Sequence, residues 1–231
     1  QYELSVQVKD VKSFTDLGID VRPFSADMIS GQMPLNLKVT QNFTGPTKLE
    51  ANASLDEMTV YVPAINWYKS IGVPGKALAV FYIENDVIVE IPEFSLETDE
   101  LELVGSAHYS EANGQLDRIK LNRIAYGRTD LSGILVPGAT GVWDADFSGT
   151  SLDLSPVWED MMYGDLFDSG ERVLENITVS TQFDKVWLSQ DRFIESMTGA
   201  FVQAEDKWRT VYITANVASG APLQIKLSPS E

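Results

Sequence analysis

Apolar and polar residues alternate one for one along most of this chain. Leu4, Val6 and Val8 stand against Ser5, Gln7 and Lys9, and Ile177, Val179 and Phe183 against Thr178, Ser180 and Gln182. Val211, Ile213, Ala215 and Val217 alternate with Tyr212, Thr214 and Asn216, and Leu223, Ile225 and Leu227 with Gln224, Lys226 and Ser228. A period of two puts successive side chains on opposite faces of a strand. Each run therefore predicts a strand with one dry and one wet face, as antiparallel sheets have. Further strands are predicted over Leu35–Thr40, Lys48–Ser54, Met58–Val62, Val87–Phe94, Glu100–Tyr109, Leu116–Tyr126, Asp130–Val136, Val142–Ser148 and Met197–Gln203.

Turn signals separate these runs: Thr44-Gly-Pro46, Glu84-Asn-Asp86, Ala112-Asn-Gly114, Pro137-Gly-Ala139 and Ser219-Gly-Ala-Pro222. Helix is scarce. Ser155-Pro156 opens a short one over Val157–Met162, with proline at its first position. Ala64–Ser70 reads as a helical turn or an irregular segment. The chain is expected to be a single β-rich region over 1–231, and the place where it would divide is 156–172.

One device recurs inside the strands, an apolar-x-Gly-x-apolar step at Gly105, Gly133 and Gly199, with a variant at Gly149. Glycine weakens a strand, so its repeated use points to bulges, bends or close backbone approach, the features that let a long sheet curl.

Composition narrows the function. No apolar run approaches the roughly 18–20 residues of a membrane-crossing helix; the longest near-apolar stretch, Ala77–Ile83, has strand length. The chain begins at Gln1 and runs directly into a strand, so it is expected to be a piece of a larger protein, itself soluble. There is no cysteine, which removes thiol nucleophiles, disulfides and thiolate metal sites. The formal charge is −17, from 34 acidic against 17 basic residues. A field of that sign repels phosphate backbones and anionic membrane surfaces, so no nucleic-acid partner is expected.

Candidate chemistry is thin. A Ser–His–Asp arrangement would need His108, the single histidine, which falls mid-strand with no G-x-S-x-G serine to serve. Glu97, Asp99 and Glu100, and Glu159, Asp160 and Asp165, cluster in expected loops or helix ends without a calcium-loop pattern. No catalytic residue, metal or cofactor is therefore assigned. Trp67, Trp143, Trp158, Trp187 and Trp208 would serve as a sugar-stacking platform or, with their irregular spacing, as plugs of a β core.

Three stretches resemble the AsmA-like proteins of Gram-negative envelopes, in particular the YhdP-type members. Leu55–Gly72 carries a strand, a proline and then Trp67-x-Lys69-x-x-Gly72. Ile119–Gly133 matches an L-x-R-x-x-x-G-x-T-D-x-x-G hairpin through Arg123, Gly127, Asp130 and Gly133, and Trp143–Pro156 matches a W-x-x-x-x-x-G-x-x-x-D step through Gly149 and Asp153. The run Phe183–Lys226 keeps the same layout around Gly199 and Trp208; the first 45 residues carry less of the likeness. The resemblance implies a long antiparallel sheet curled into a groove, in a periplasmic protein anchored in the inner membrane that carries phospholipid to the outer one. On that reading the apolar stripe Ile177, Val179, Val211, Ile213, Val217, Leu223, Ile225 and Leu227 lines the groove and holds acyl chains. The same alternation would also build a closed β-sandwich, an adhesive or carbohydrate-binding domain, and the pattern leaves both open.

Overall fold

The computed structural model describes residues 1–8, 28–41, 45–62, 67–110, 114–138, 142–156, 176–204 and 207–228, with the backbone alone at 207 and 208. The regular elements of these residues are all strands: β1 (Tyr2–Val8), β2 (Ile29–Gly31), β3 (Met33–Thr40), β4 (Thr47–Ser54), β5 (Met58–Val62), β6 (Trp67–Lys69), β7 (Gly75–Glu84), β8 (Val87–Thr98), β9 (Leu101–Tyr109), β10 (Leu116–Tyr126), β11 (Thr129–Pro137), β12 (Trp143–Asp153), β13 (Ile177–Trp187), β14 (Phe193–Ala204), β15 (Lys207–Val217) and β16 (Pro222–Leu227). The chain is all-β, as the alternation predicts. The helix expected over Val157–Met162 lies outside the described residues. Trp67–Lys69, within the segment read as a helical turn or irregular, is strand β6.

A 13-stranded sheet takes the order β1-β3-β4-β7-β8-β9-β10-β11-β12-β13-β14-β15-β16 and does not close on itself, while β2-β5-β6 form a small second sheet. The described ladders are antiparallel except β12–β13, which is parallel. The chain divides into two compact units, Gln1–Asp117 and Arg118–Glu231.

In the first unit the strand register sorts residues by polarity. One cross-strand row is Leu4, Leu37, Ala51, Ala79, Phe94 and Gly105, and the next on the same face is Val6, Leu35, Ala53, Ala77, Leu96 and Leu103. Between them, on the other face, run Ser5, Asn36, Asn52, Leu78, Ser95 and Val104. The β7–β8 hairpin turns through Asn85 and Asp86, both at positive φ (51° and 63°), a left-handed pair that short polar side chains tolerate. Pro92 lies where β8 slips register against both β7 and β9, as expected of a strand residue with no N–H to give the ladder.

The driest positions of this unit are Val8, Met33, Leu35, Leu55, Met58, Val60, Trp67 and Leu101. They sit at one end of the large-sheet strands or in the small sheet. Lys69 is buried among them at 2% exposure, its ammonium donating to the carbonyls of Leu55, Met58 (3.1 Å) and Ser70 (3.3 Å). Burial pushes the Lys69 pKa below its ordinary value, and the nearby Asp56 charge works against that shift.

In the second unit the sorting extends across seven strands. Leu227, Val211, Phe201, Val179, Ala145, Leu135 and Ile119 form one unbroken apolar row. The adjacent row on that face is Ile225, Ile213, Gly199, Thr181, Phe147, Gly133 and Leu121. The opposite face carries Lys226, Tyr212, Ala200, Ser180, Asp146, Ile134 and Lys120. With strands about 4.8 Å apart, the apolar row crosses roughly 29 Å.

The strand glycines fall at the irregularities their repetition suggests. Gly105, Gly133, Gly149 and Gly199 each lie beside a register shift. A Cβ on Gly133 would come within 2.4 Å of the Phe147 ring, and one on Gly199 within 2.5 Å of the Phe201 ring. The two phenylalanines thus lie over the two glycines and fill the row that glycine leaves empty.

Candidate functional site

The candidate site is the apolar face of the second unit. A cluster of buried side chains, Phe183, Val186, Ile194, Met197 and Ala215, marks where that face is driest. Ile213, Val217 and Leu223 pack against it half-buried. Ile177, Val179 and Val211 are half-buried as well, whereas Ile225 and Leu227, on the edge strand, are 43% and 52% exposed. The register places every residue of the predicted stripe on this face, since Val217 pairs with Ile194 and Ile177 with Gln203. Among the described residues of this unit no second layer of strands or helices stands over it.

Keeping that face apolar requires a correction along the strands. Asp130 pairs with Ser151 and Leu131 with Gly149, so Thr150 has no counterpart on β11. On the far side, Glu195 pairs with Asn216 and Thr198 with Thr214, so Ser196 and Met197 together oppose Ala215. Between these shifts β12, β13 and β14 stay in register, with Gly149, Phe183 and Met197 on one row and Ser151, Lys185 and Glu195 on another. Thr150, Asp184 and Ser196 therefore occupy a single transverse row, with Ser196 at φ 51°. On one side of it the buried residues are odd-numbered (Ala145, Phe183, Met197), and on the other even-numbered (Val186, Ile194). Three neighbouring strands share one bulge, and the apolar face continues through it.

Beyond the bulge the polar face holds a built cluster. Arg128, in the turn between β10 and β11, grips Asp153 with two bonds, Nε to Oδ2 at 2.8 Å and Nη2 to Oδ1 at 3.1 Å. The guanidinium also donates to Ser155 Oγ (3.0 Å) and to the carbonyls of Ser189 (3.3 Å) and Gln190 (3.1 Å), and lies 4.2 Å from the centre of the Trp187 ring. The Asp153 amide donates to the Thr129 hydroxyl at 3.0 Å, and the Trp187 indole N–H to Ser151 Oγ at 3.2 Å. Burial acts to raise the Asp153 pKa, but the bonds from Arg128 and Ser155 and the guanidinium charge outweigh it and hold the carboxyl below its ordinary value. Lys185 extends the cluster, its ammonium 4.3 Å from the Phe193 ring centre. Thr129 of the hairpin motif and Asp153 of the W-x-x-x-x-x-G-x-x-x-D step meet beside Arg128, while Arg123 pairs with Asp130 at 3.3 Å. Their chemistry is that of a clasp tying a hairpin to the ends of β12 and β13.

Elsewhere the expected chemistry is dispersed. His108 Nδ1 lies 3.2 Å from Asp117 on an exposed surface. In the first unit a cleft of about 770 Å³ has a mixed lining, with Asn36, Asp56, Lys76 and Glu97 beside Ala77 and Leu78 among others. Glu97 is paired there with Lys76 at 2.9 Å, and Asp56 accepts a hydrogen bond from the Gly75 amide, the largest influence holding its pKa down. Among the described residues no three His, Asp or Glu side chains gather in a metal-binding arrangement. Trp67 is buried, and Arg128 lies over Trp187. Trp158, the Glu159–Asp165 cluster and the Trp208 side chain lie outside the described residues.

No family model, curated protein or solved structure matches the chain.

Proposed function

We propose that the chain is a non-catalytic segment of a periplasmic, bridge-like lipid-transfer protein of the AsmA-like kind, anchored elsewhere in the inner membrane. It holds phospholipid acyl chains against its apolar face during transport to the outer membrane. The observation that carries this reading is the sorted register. Seven strands in one unit and six in the other each give one face to apolar side chains, and around the dry cluster at Phe183, Val186, Ile194, Met197 and Ala215 much of the second unit's face is only half-buried. A lipid tail covering such a face gains about 0.8 kcal/mol per buried methylene. No single pocket is needed, because the stripe runs from strand to strand. In the first unit Ala51, Ala53, Ala77 and Ala79 leave the middle of the face shallow, while Leu37, Phe94 and Leu96 flank it. The shared bulge and the strand glycines favour a sheet curled around that face, because bulges strengthen twist and bend the strands that carry them. The acidic surface then meets water, and headgroups stay at the rim.

The test is lipid extraction and native mass spectrometry of the purified chain, followed by titration of the delipidated protein with a fluorescent phospholipid. Val179→Lys and Ile213→Lys, placed in the two apolar rows, should each abolish saturable binding. Ser180→Lys, next to Val179 but on the wet face, should leave binding intact. Absence of bound lipid together with no titratable binding would refute the reading, as would equal loss from substitutions on both faces.

A further inference from the structure

We infer that the lipid held on the apolar face of the second unit is an ester-linked one, recognised by the Thr181 hydroxyl donating to an ester carbonyl. The inference rests on the lipid reading and adds the chemical class of the ligand. Thr181 is the one polar side chain in the two apolar rows, standing between Gly199 on β14 and Phe147 on β12. Its hydroxyl oxygen is sealed from water and has no hydrogen-bond partner among the described residues. A valine, nearly the same in shape, would fill the position without burying an unpaired hydroxyl, so packing gives no reason for the oxygen. An acceptor carried by a ligand does.

The hydroxyl lies beside a space that a ligand can enter. A Cβ on Gly199 would come within 2.6 Å of Thr181 Oγ1 and 2.5 Å of the Phe201 ring, so ring and hydroxyl share the room that the glycine leaves above its backbone. Rotation of the ring out of that room opens a slot with the hydroxyl at its side. An ionised headgroup entering an apolar slot would lose its hydration, whereas an ester carbonyl is uncharged and arrives attached to hydrocarbon. The strand then orients the lipid. Toward one end lie the buried Phe183, Met197, Val186 and Ile194, which suit the acyl chain. Toward the other, four residues or about 13 Å from Thr181, Ile177 pairs with Trp143 and with Gln203, a polar residue that the register places on the same face. The headgroup lies at that end, near the rim.

Displacement of a fluorescent phospholipid from the delipidated chain tests this, with diester and diether phosphatidylcholines of equal chain length as competitors. Wild type should bind the diester about fivefold more tightly, the net worth of one hydrogen bond. Thr181→Val should bind the two lipids equally, while Thr181→Ser, which keeps the hydroxyl, should keep the preference. In urea the delipidated Thr181→Val chain should unfold at a higher midpoint than wild type, because it loses an unpaired hydroxyl and no bond. Equal binding of the two lipids by wild type, or a preference that survives Thr181→Val, overturns the inference and leaves the lipid reading standing. A lower midpoint for the valine variant overturns it too, since the hydroxyl would then have a partner in the free protein. Failure of both lipids to bind overturns this inference and the lipid reading together.

Discussion

Replacing Arg128 by Ala removes a side chain that is 33% exposed but whose partner carboxylate, Asp153, is only 15% exposed. Two charge-assisted bonds to Asp153 disappear, with donors to Ser155 Oγ and to the Ser189 and Gln190 carbonyls and the contact with the Trp187 ring. Breaking a buried ion pair typically costs 3–5 kcal/mol, and the partial exposure of the guanidinium places this variant at the low end, about 3 kcal/mol. Much of that cost is the carboxylate left behind, which keeps its bonds from Ser155 but loses its counter-charge. Arg128→Lys should recover only part of the loss, since an ammonium cannot reproduce the two-pronged grip and the ring contact together.

The same pair sets a pH dependence with a definite sign. Asp153 has a folded-state pKa held below its ordinary 3.8, so the folded state binds its proton less readily than the unfolded chain. Its contribution to stability is complete above pH 3.8 and is lost as the pH falls through the folded value. In Arg128→Ala the largest lowering influence is gone while the Ser155 bonds remain, so the folded-state pKa moves up and less stability is lost to acid than in the wild type. The gap between wild type and variant should therefore be widest near neutrality and narrow below about pH 4. Urea unfolding at pH 7 and at pH 3.5, read by hydrogen exchange in peptides spanning β12 to β14, measures both quantities. A loss below about 1 kcal/mol, or a gap of the same width at both pH values, would refute the clasp.

Gly133→Ala places a methyl group against the Phe147 ring and should cost about 1–3 kcal/mol; Phe147→Leu in the same chain should return more than half of it, as a urea-melt double-mutant cycle will read. Deleting Ser196 alone breaks the shared bulge and turns one end of β14 over, so its unfolding midpoint should fall sharply. Deleting Thr150, Asp184 and Ser196 together keeps the three strands in mutual register and should recover part of that loss; an additive result would show that the bulges are independent. Lys69→Met leaves the carbonyls of Leu55, Met58 and Ser70 without their buried donor and should cost about 1–3 kcal/mol. Because burial lowers the Lys69 pKa below 10.5, the ammonium penalty eases as pH rises toward that value, and the melting point of wild type relative to Lys69→Met should rise over the same alkaline range.

Period-two alternation reached most of the fold because each strand exposes one face and dries the other. Met58–Val62 and Leu116–Tyr126 end where the pattern ends them. Alternation fails where a strand is too short to show it, as in Ile29–Gly31, or where a dry position carries a charge, as Lys69 does beside Trp67. It is also blind to strand direction: β12 and β13 alternate as their antiparallel neighbours do, yet run parallel. The Arg128 clasp joins residues far apart in sequence, and periodicity carries no information about such pairs. Asp153 is visible in the sequence only as a member of a short motif made of ordinary turn and strand residues, and Arg128 falls on an unspecified position of another.

The shared bulge was legible in principle. Phe183 and Val186 are both buried though they stand three positions apart, and so are Ile194 and Met197. In a regular strand each such pair would straddle the sheet, with one member in water. Two adjacent strands breaking parity in the same way imply one extra residue in each, because a bulge in only one of them would have shifted its neighbour's apolar set to the wrong face. A parity break repeated on neighbouring strands therefore marks a transverse bulge. Here it also identifies the apolar face as the property the chain preserves, since the backbone departs from regular pairing at the point where regular pairing would have interrupted that face.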